Sequence, residues 1–553
     1  MKTIKPIAIL AILFSVLLGA CETDIPEKTS YTEATVEKTD ILSVTNMSTT
    51  DVSLSFSKTP APASLIPAIA SNYIHNRNRS GPGKVYVKDL PAAMRFNANP
   101  PKITRTYGRA GFPDMEPIAA PVNNVGDKKT FQIDVYKGDK PNTYEFQPCI
   151  ATLRVQGVYC NIWVADDDYL PASTKYSDLA DKFDLIYPVE TNLIGYEYGG
   201  DDGSGGMDGD MRIQILIYDL NEGANIEEDG ITLGYFWSKD EYTQAELNAM
   251  KLSNIKTNEA EIFYIDASTM EYENAETGAK GIDIIYSTLI HEFQHMINFN
   301  QKAIKRHLNS ETWYNEMLSM LTEDVIGPLV GIEPKDEGGT GGHPIDERIR
   351  EYGLFLDFYN LYGVDEWYDV SSYHMVYAFG AYLIRNYGGE GVNNGGPGLI
   401  KKMLSNNLVN QASVNQALQT VNYAYSFEDA LENYGEALIY STASPKGFPA
   451  GKLSFEKESS STINGRTYKA YAFDIWTMDG DPEYRNYIES VLSIPLDSLN
   501  KKGPVIYPYV GGTSSYAHTV WLHQGILNET LPENFTIGCT YPSRADIRLK
   551  VYK

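Results

Sequence analysis

Apolar residues recur at helical spacing over residues 284–297 and predict a helix that is buried over most of its surface. They are Ile284, Ile285, Leu289, Phe293, Met296 and Ile297. Gly281 comes just before them and marks the predicted start of the helix. His291 and His295 interrupt this apolar pattern, at positions where a core would favour aliphatic side chains. A buried imidazole needs a polar partner or a metal ion, so this helix is a candidate metal site.

Shorter alternating patterns on either side of this region predict β-strands. Val52, Leu54 and Phe56 share one face near the N-terminus, and Ile547, Leu549 and Val551 share one near the C-terminus. These patterns indicate an α+β protein whose central domain combines a mixed sheet with the buried helix and a helical lower half, between two β-rich domains. The predicted division is a leader at 1–20, a tether at 21–40, a β-rich domain at 41–157, a central domain at 158–445 and a β-sandwich-like domain at 450–553.

Residues 291–295 read His-Glu-Phe-Gln-His, an instance of HExxH. On a helix, positions four residues apart lie on one face, so both imidazoles can reach one ion. Glu292 then stands beside the ion, where a carboxylate can act as a general base. The motif predicts a catalytic Zn²⁺ held by His291 and His295, with a water molecule completing its coordination.

The third ligand must come from another part of the chain. The longer HExxHxxGxxH motif is excluded, because Asn298 and Gln301 stand where it requires glycine and histidine. A glutamate on the following helix is the other common solution. Glu316 is favoured because its Asn-Glu pair opens an apolar helix 21 positions after the second histidine, whereas Glu311 and Glu323 remain rivals.

An HExxH motif followed by Asn-Glu about twenty residues later resembles the glutamate-zincin superfamily. Residues 291–299, the stretch Gly234-Tyr235-Phe236 with Asp240, and residues 253–266 resemble the hyicolysin-like zinc metallopeptidases. The resemblance implies a zincin-type fold over about 158–440 and a secreted or surface endopeptidase. Thermolysin-type enzymes carry an aspartate four residues after the ligand glutamate, where this chain has Met320. The hydrogen-bond acceptor for a zinc histidine is therefore expected elsewhere, for example on a backbone carbonyl.

The oxyanion of the reaction needs a hydrogen-bond donor besides the metal. Tyr377 is the first candidate, because its spacing from Gly380 resembles the catalytic tyrosine of aminopeptidase-type enzymes. His374 and Tyr373 are alternatives, and a purely structural helix is another. Residues 261–266 are rich in strand formers and are expected to border the cleft and pair with the substrate backbone.

The N-terminal residues predict export and a lipid anchor. Lys2 and Lys5 precede an apolar run over residues 7–18, and the stretch Leu18-Gly19-Ala20-Cys21 resembles a bacterial lipobox. We therefore predict acylation of Cys21 and attachment to a membrane of the bacterial cell envelope, at the outer membrane or cell surface. The alternative is a soluble secreted protein in which Cys21 has no special role.

The net charge of −26 makes nucleic acid a poor partner, because phosphate binding needs a cationic surface. An aspartate-rich loop could bind Ca²⁺, although its spacing is not that of an EF-hand, and a solvated turn is the alternative. Its aspartates are Asp201, Asp202, Asp208 and Asp210.

The favoured interpretation is a zinc endopeptidase that acts on protein or peptide substrates. A catalytically inactive zincin scaffold or adhesin is the main alternative, although retention of Glu292 favours activity. A zinc amidase acting on cell-wall peptides would use the same residues.

Overall fold

The computed structural model describes most of the chain. The described ranges are 28–37, 39–57, 86–87, 89–103, 123–134, 145–222, 231–273, 280–332, 355–356, 359–360, 363–368, 372–388, 395–444, 446–449, 451–480, 485–486, 502–507, 512–515, 517–524 and 534–553. The predicted leader and Cys21 lie outside these ranges. Among the described residues, no helix is both long and apolar enough to cross a bilayer.

A mixed six-stranded sheet forms the framework of the central region. Its strands are β5 (Lys128–Asp134), β6 (Phe146–Gln156), β7 (Cys160–Ala165), β8 (Ile213–Tyr218), β10 (Gly234–Phe236) and β11 (Ile262–Asp266). Their order across the sheet is β10-β11-β8-β7-β6-β5. Strands β11, β8 and β7 run parallel, and the other three are antiparallel to their neighbours. The α+β class predicted from the sequence is confirmed.

Helices cover this sheet and form the lower half of the central region. They are α1 (Pro91–Ala98), α2 (Lys175–Ile194), α3 (Gln244–Ala249), α4 (Ala267–Glu271), α5 (Gly281–Asn298), α6 (Thr312–Ile326), α7 (Ser372–Asn386), α8 (Gly398–Ser405), α9 (Asn410–Val421) and α10 (Phe427–Ile439). Short 3₁₀ turns span Ser238–Glu241 and Gly327–Val330. Helix α5 packs between α2, α6 and β10, and α6 also packs on α7.

Helix α5 is buried along its whole C-terminal half, as its apolar pattern predicts. Gly281 is required at its start, because a Cβ there would lie 1.8 Å from the carbonyl oxygen of Thr269. Beyond α5 the chain continues in a π-helical segment, Phe299–Ile304. In that segment the buried Lys302 ammonium donates to the carbonyl oxygens of Met403 and Leu408. These bonds fix the end of the helix that carries the two histidines.

Two further antiparallel sheets combine strands from both ends of the chain. The strands are β1 (Thr29–Glu37), β2 (Ile41–Asn46), β3 (Val52–Ser57), β14 (Gly512–Ser515), β15 (Val520–Gln524), β16 (Asn534–Pro542) and β17 (Ile547–Tyr552). One sheet has the order β1-β16-β3-β14 and the other β15-β2-β17. A hairpin joins β12 (Ser459–Ile463) to β13 (Arg466–Ala470), and β4 (Tyr86–Val87) pairs in parallel with β9 (Ile231–Thr232).

These pairings differ from the predicted division at residues 41–157 and 450–553. The N-terminal strands pair with C-terminal ones, and β5 and β6 belong to the central sheet although they precede residue 158. Alternation along a strand shows which face is buried, but it does not show which strand lies alongside. Cys149, Cys160 and Cys539 are free thiols in the described part of the chain.

Candidate metal centre and active site

The structure brings the three predicted metal ligands together. His291 and His295 lie one turn apart on α5, with ring centroids 4.7 Å apart and ring planes nearly perpendicular. Glu316 on α6 places Oε2 3.1 Å from Nε2 of His291 and 3.4 Å from Nε2 of His295. All three side chains are buried.

Asp89, just before α1, is a fourth member of this cluster. Its Oδ2 atom lies 3.1 Å from Nε2 of His291 and 3.5 Å from Nε2 of His295. Pro91 occupies the first turn of α1, and Leu90 before it is extended. Proline favours this arrangement at a helix start, because its ring restricts the preceding residue to extended backbone. The start of α1 therefore fixes where Asp89 stands.

The spacing of the four donor atoms fits a tetrahedral ion. Ligand atoms about 2.0–2.1 Å from a tetrahedral Zn²⁺ are separated from each other by about 3.3 Å. The four nitrogen-to-oxygen distances span 3.1 to 3.5 Å, and all four donors lie within 4.8 Å of one another. Two imidazoles and carboxylate oxygens are also ligands that Zn²⁺ accepts. The cluster therefore fits zinc in donor type and in its four nitrogen-to-oxygen distances.

Electrostatics also favour a cation at the centre of the cluster. Burial lowers the pKa of His291, but hydrogen bonds with Asp89, Glu316 and Glu323 outweigh burial and raise it well above its usual value. For His295, burial again lowers the pKa, whereas the charges of Glu316 and Asp89 raise it to about 10. Burial raises the pKa of Asp89, yet the two histidines hold it far below its ordinary value. Positive charge at the centre of the cluster therefore stabilises the buried carboxylates, and a divalent ion would supply that charge.

A second layer of hydrogen bonds orients both rings. Nδ1 of His291 lies 2.6 Å from Oε1 of Glu323, and Oε2 of the same carboxylate accepts a hydrogen bond from the Ser287 hydroxyl. Nδ1 of His295 lies 3.0 Å from Oγ of Ser319, whose hydroxyl bonds in turn to Gln294. Such partners fix the ring tautomer, so that Nε2 of each ring would be free to bind a metal ion.

The acceptor for His291 is thus a carboxylate and not the backbone carbonyl suggested from the sequence. Glu323 follows Glu316 by seven residues, or two helical turns, so both side chains project from the same face of α6. Glu311, the other rival ligand, accepts a hydrogen bond from the Trp313 indole at the start of α6. Asn315 binds the side chain of Asn298 and so links the start of α6 to the end of α5.

Glu292 lies next to the cluster and is fully buried. Among the described residues, neither of its carboxylate oxygens has a hydrogen-bond partner. Burial and the nearby charge of Asp89 raise the pKa of Glu292 well above its usual value. An unpartnered buried carboxylate is costly in a folded protein, and a general base is a role that explains it.

The tyrosines on α7 occupy different environments. The Tyr377 hydroxyl donates to Asp324 at 3.1 Å, and Asp324 is also paired with Arg385 at 2.8 Å. The Tyr373 hydroxyl instead donates to Oδ2 of Asp89 at 3.0 Å. Its ring centroid lies 6.2 Å from that of His291. Tyr373 is therefore in contact with the metal cluster, whereas the hydroxyl of Tyr377, the first candidate from the sequence, contacts Asp324.

The edge of the central sheet near the site is β10 rather than the stretch at 261–266. Strand β11 is paired on both sides, with β8 and β10, so its backbone is already used within the sheet. On the outer side of β10, the carbonyl oxygen of Phe236 accepts from the side-chain amide of Asn97. The amide N–H of Ser238 donates to the same side chain. The prediction of β11 as the cleft edge was wrong because three residues of β10 are too few to show an alternating pattern.

The Gly-Tyr-Phe stretch and Asp240 stabilise this edge. Asp240 is buried and pairs with the Lys239 ammonium at 2.7 Å. It also accepts from the Tyr264 hydroxyl on β11 and from the amide N–H of Asn258. These bonds tie the turn after β10 to the neighbouring strand.

The four aspartates proposed as a calcium site do not converge, and calcium is not supported. Asp201 pairs with Lys305 at 2.7 Å. Asp202, Asp208 and Asp210 each accept a hydrogen bond from the N–H two residues further along the chain. This local pattern is typical of aspartates in turns and leaves their carboxylates separate.

Sequence reasoning missed Asp89 and the orienting roles of Glu323 and Ser319, and it ranked Tyr373, the tyrosine in contact with the cluster, behind Tyr377. The spacing of Glu323 from Glu316 was a usable signal, because two helical turns return a side chain to the same face. Asp89 precedes the histidines by about 200 residues, and no pattern near it indicates a ligand.

A mixed sheet packed on a buried HExxH helix, with a glutamate from the next helix, defines the metallopeptidase class. The family model described as Peptidase M30 matches residues 151–461, more than half of the chain. The chain belongs to this family.

One curated relative is the neutral metalloprotease ShpI of Staphylococcus hyicus, which is 26% identical over 271 residues. The match covers 47% of this chain and 53% of the relative, so the chain spans about half the length of the relative it matches. It confirms the resemblance to metallopeptidases that the sequence motifs indicated.

Proposed function

We propose that this protein is a zinc-dependent endopeptidase that hydrolyses peptide bonds in protein or peptide substrates. The observation that carries the proposal is the four-donor cluster with the unpartnered carboxylate of Glu292 beside it. Membership of the peptidase M30 family supports the same conclusion.

His291, His295 and Glu316 would hold the ion in the active enzyme. When bound, zinc would polarise the scissile carbonyl group and lower the pKa of a bound water to about 7. Glu292 would accept a proton from the attacking water and later donate it to the leaving amine. Neither carboxylate oxygen of Glu292 has a hydrogen-bond partner among the described residues, so the group is available to take up the proton.

Tyr373 would stabilise the oxyanion. Its hydroxyl already donates to a carboxylate oxygen within hydrogen-bonding distance of His291. A substrate oxygen at the same position would receive the same hydrogen bond. Tyr377 remains a candidate from its spacing, although its hydroxyl lies on Asp324.

The test compares Glu292→Gln with wild type on casein while bound zinc is measured. The wild type and the Glu292→Gln variant are each also tested in combination with Asp89→Asn. Asp89 belongs to the cluster and could keep substrate from the metal. Glu311→Gln is the matched control, since Glu311 is a glutamate at the N-cap of α6 and lies outside the cluster. We expect Glu292→Gln to retain zinc and lose at least 100-fold in cleavage rate, while the control behaves as wild type. Cleavage that survives Glu292→Gln would refute the proposed base.

The same experiment separates the competing functions. Cleavage by none of the variants, including those with Asp89→Asn, would favour an inactive scaffold or adhesin. Hydrolysis of cell-wall peptides but not of casein would favour an amidase. The buried and unpartnered Glu292 argues against a scaffold, because a scaffold has no chemical need for this residue.

We also propose attachment to the bacterial cell envelope through Cys21. The support is the sequence pattern at residues 18–21, which resembles a lipobox. Two or more acyl chains would anchor a protein stably, whereas one holds only marginally. Cys21→Ser should move the protein from the detergent phase to the aqueous phase in a partition assay. Equal partitioning of both forms would refute the anchor.

A further inference from the structure

The metal cluster is closed to substrate in this structure. The side chains of Asp89, His291, Glu292, His295 and Glu316 are each at most 2% exposed. Catalytic zinc sites characteristically keep one position for water or substrate, whereas sites with four protein ligands are closed. The donor set here has four members, and the fourth comes from a distant part of the chain.

Residues 89–103, here called the covering segment, run from the metal cluster along the edge of the central sheet. At its start, Asp89 contacts both histidines and the Tyr373 hydroxyl. Eight residues later, the Asn97 side chain both donates to the backbone of Phe236 and accepts from that of Ser238. The segment thus occupies the reacting centre and the adjacent strand edge together.

The contacts with β10 are those expected of a bound peptide. Peptidases hold extended substrates by main-chain hydrogen bonds to an exposed strand edge. A side-chain amide carries N–H donors and a carbonyl acceptor, the same kinds of groups that a peptide backbone offers. The carboxamide of Asn97 satisfies the backbone groups that a substrate would use.

Packing holds the covering segment in place over its whole length. Ala93, Phe96 and Ile103 are buried, and the Phe96 ring meets Trp237 and Tyr242 edge to face. The Tyr242 hydroxyl donates to the carbonyl oxygen of Pro101 at 2.5 Å. A small cavity beside His295 is lined by Asn97 and Pro100 on the side of the segment. The segment is therefore an integral part of the fold and not a loose strand over the site.

We propose that Asp89 is a fourth ligand of the metal and that the covering segment is an intrachain inhibitor, so that this structure is a latent form of the enzyme. Asp89 takes the place of substrate oxygen, and Asn97 takes the place of substrate backbone. The predicted loss of peptidase activity rests on the proposed function. Access of a small ligand to the metal does not, and it can be measured without catalysis.

The experiment uses the full chain with Co²⁺ in place of zinc, since the visible absorption of Co²⁺ reports on its ligands. Acetohydroxamate, a small metal ligand, is titrated into wild type, Asp89→Ala, Asp89→Asn and Asn97→Ala. Asn99→Ala is the matched control, because Asn99 lies in the same segment but makes an exposed hydrogen bond with Asn309. Cleavage of a peptide substrate is measured in parallel.

We expect Asp89→Ala to bind acetohydroxamate at least tenfold more tightly than wild type and to cleave peptide at least tenfold faster. Asn97→Ala should change in the same direction by less, and Asn99→Ala should match wild type. Equal half-saturation in wild type and Asp89→Ala would overturn the proposal. Loss of cobalt from Asp89→Ala would overturn the inhibitory role, because Asp89 would then be a resident ligand that holds the metal rather than one that substrate displaces.

Two further outcomes separate this proposal from the proposed function. If access changes as expected but no variant cleaves any peptide, the covering role stands and the peptidase function fails. If wild type and Asp89→Ala cleave equally well, the peptidase function stands and the covering role fails. If Asp89→Ala does not fold, Asp89→Asn and Asn97→Ala decide the question by the same measurements.

Discussion

Glu323 offers the sharpest test of the metal centre, because it contacts the predicted ligand His291 but is not one of the four donors. The Nδ1 atom of His291 lies 2.6 Å from its carboxylate, and both groups are buried. Partners of this kind typically contribute 10- to 100-fold in metal affinity, or about 1.4 to 2.7 kcal/mol. Glu323→Gln keeps an acceptor but removes its charge, and charge-assisted hydrogen bonds are about twice as strong as neutral ones. We therefore expect about tenfold weaker zinc binding for Glu323→Gln and about 100-fold for Glu323→Ala.

The measurement is zinc affinity by competition with a fluorescent chelator at fixed pH. Affinity is compared rather than thermal stability, because Glu323 also pairs with His291 when no metal is bound. Ser287→Ala is the control, since its hydroxyl contacts the far oxygen of Glu323 and its loss should weaken binding by less than tenfold. Affinities within twofold of wild type for both Glu323 variants would show that the contact does not orient the ligand.

Three further predictions concern residues around the site. Tyr373→Phe should lower kcat at least tenfold with little change in KM, whereas Tyr377→Phe should mainly lower the thermal midpoint. If steady-state kinetics instead show the loss of kcat in Tyr377→Phe, Tyr377 is the oxyanion donor. Lys239→Met should destabilise the protein by about 3 kcal/mol, seen as a lower urea midpoint, because it leaves the buried Asp240 without its cation; an unchanged midpoint would contradict this. Gly281→Ala should also lower the thermal midpoint, because its Cβ would meet a backbone carbonyl at 1.8 Å, and unchanged melting would show that α5 can shift at no cost.

The sequence predicted those features that depend on local periodicity. Helix α5 and its two histidines follow from a 3.6-residue pattern and a motif confined to five positions. Glu316 was within reach as well, since it lies on the next helix along the chain. Glu323 was named only as a rival ligand, although its position two helical turns after Glu316 places it on the same face of α6.

The remaining features depend on contacts between distant parts of the chain. Asp89 reaches the cluster because α1 packs beside α6, and no residue near Asp89 indicates that packing. The pairing of β2 with β15 and β17 could not be predicted from the sequence either, since the alternating pattern of each strand suits many partners. The role of β10 was missed because a three-residue strand has no measurable period.

The sheets shared by the two ends of the chain affect how this protein can be made. More than 450 residues separate the end of β3 from the start of β14. At about 5–20 residues per second, synthesis of that interval takes roughly 20 to 90 seconds. During that time β1, β2 and β3 lack their partners, and unpaired strands are templates for aggregation. A chain truncated before residue 512 would keep the entire metal centre, but its strands β1, β2 and β3 would have unpaired edges.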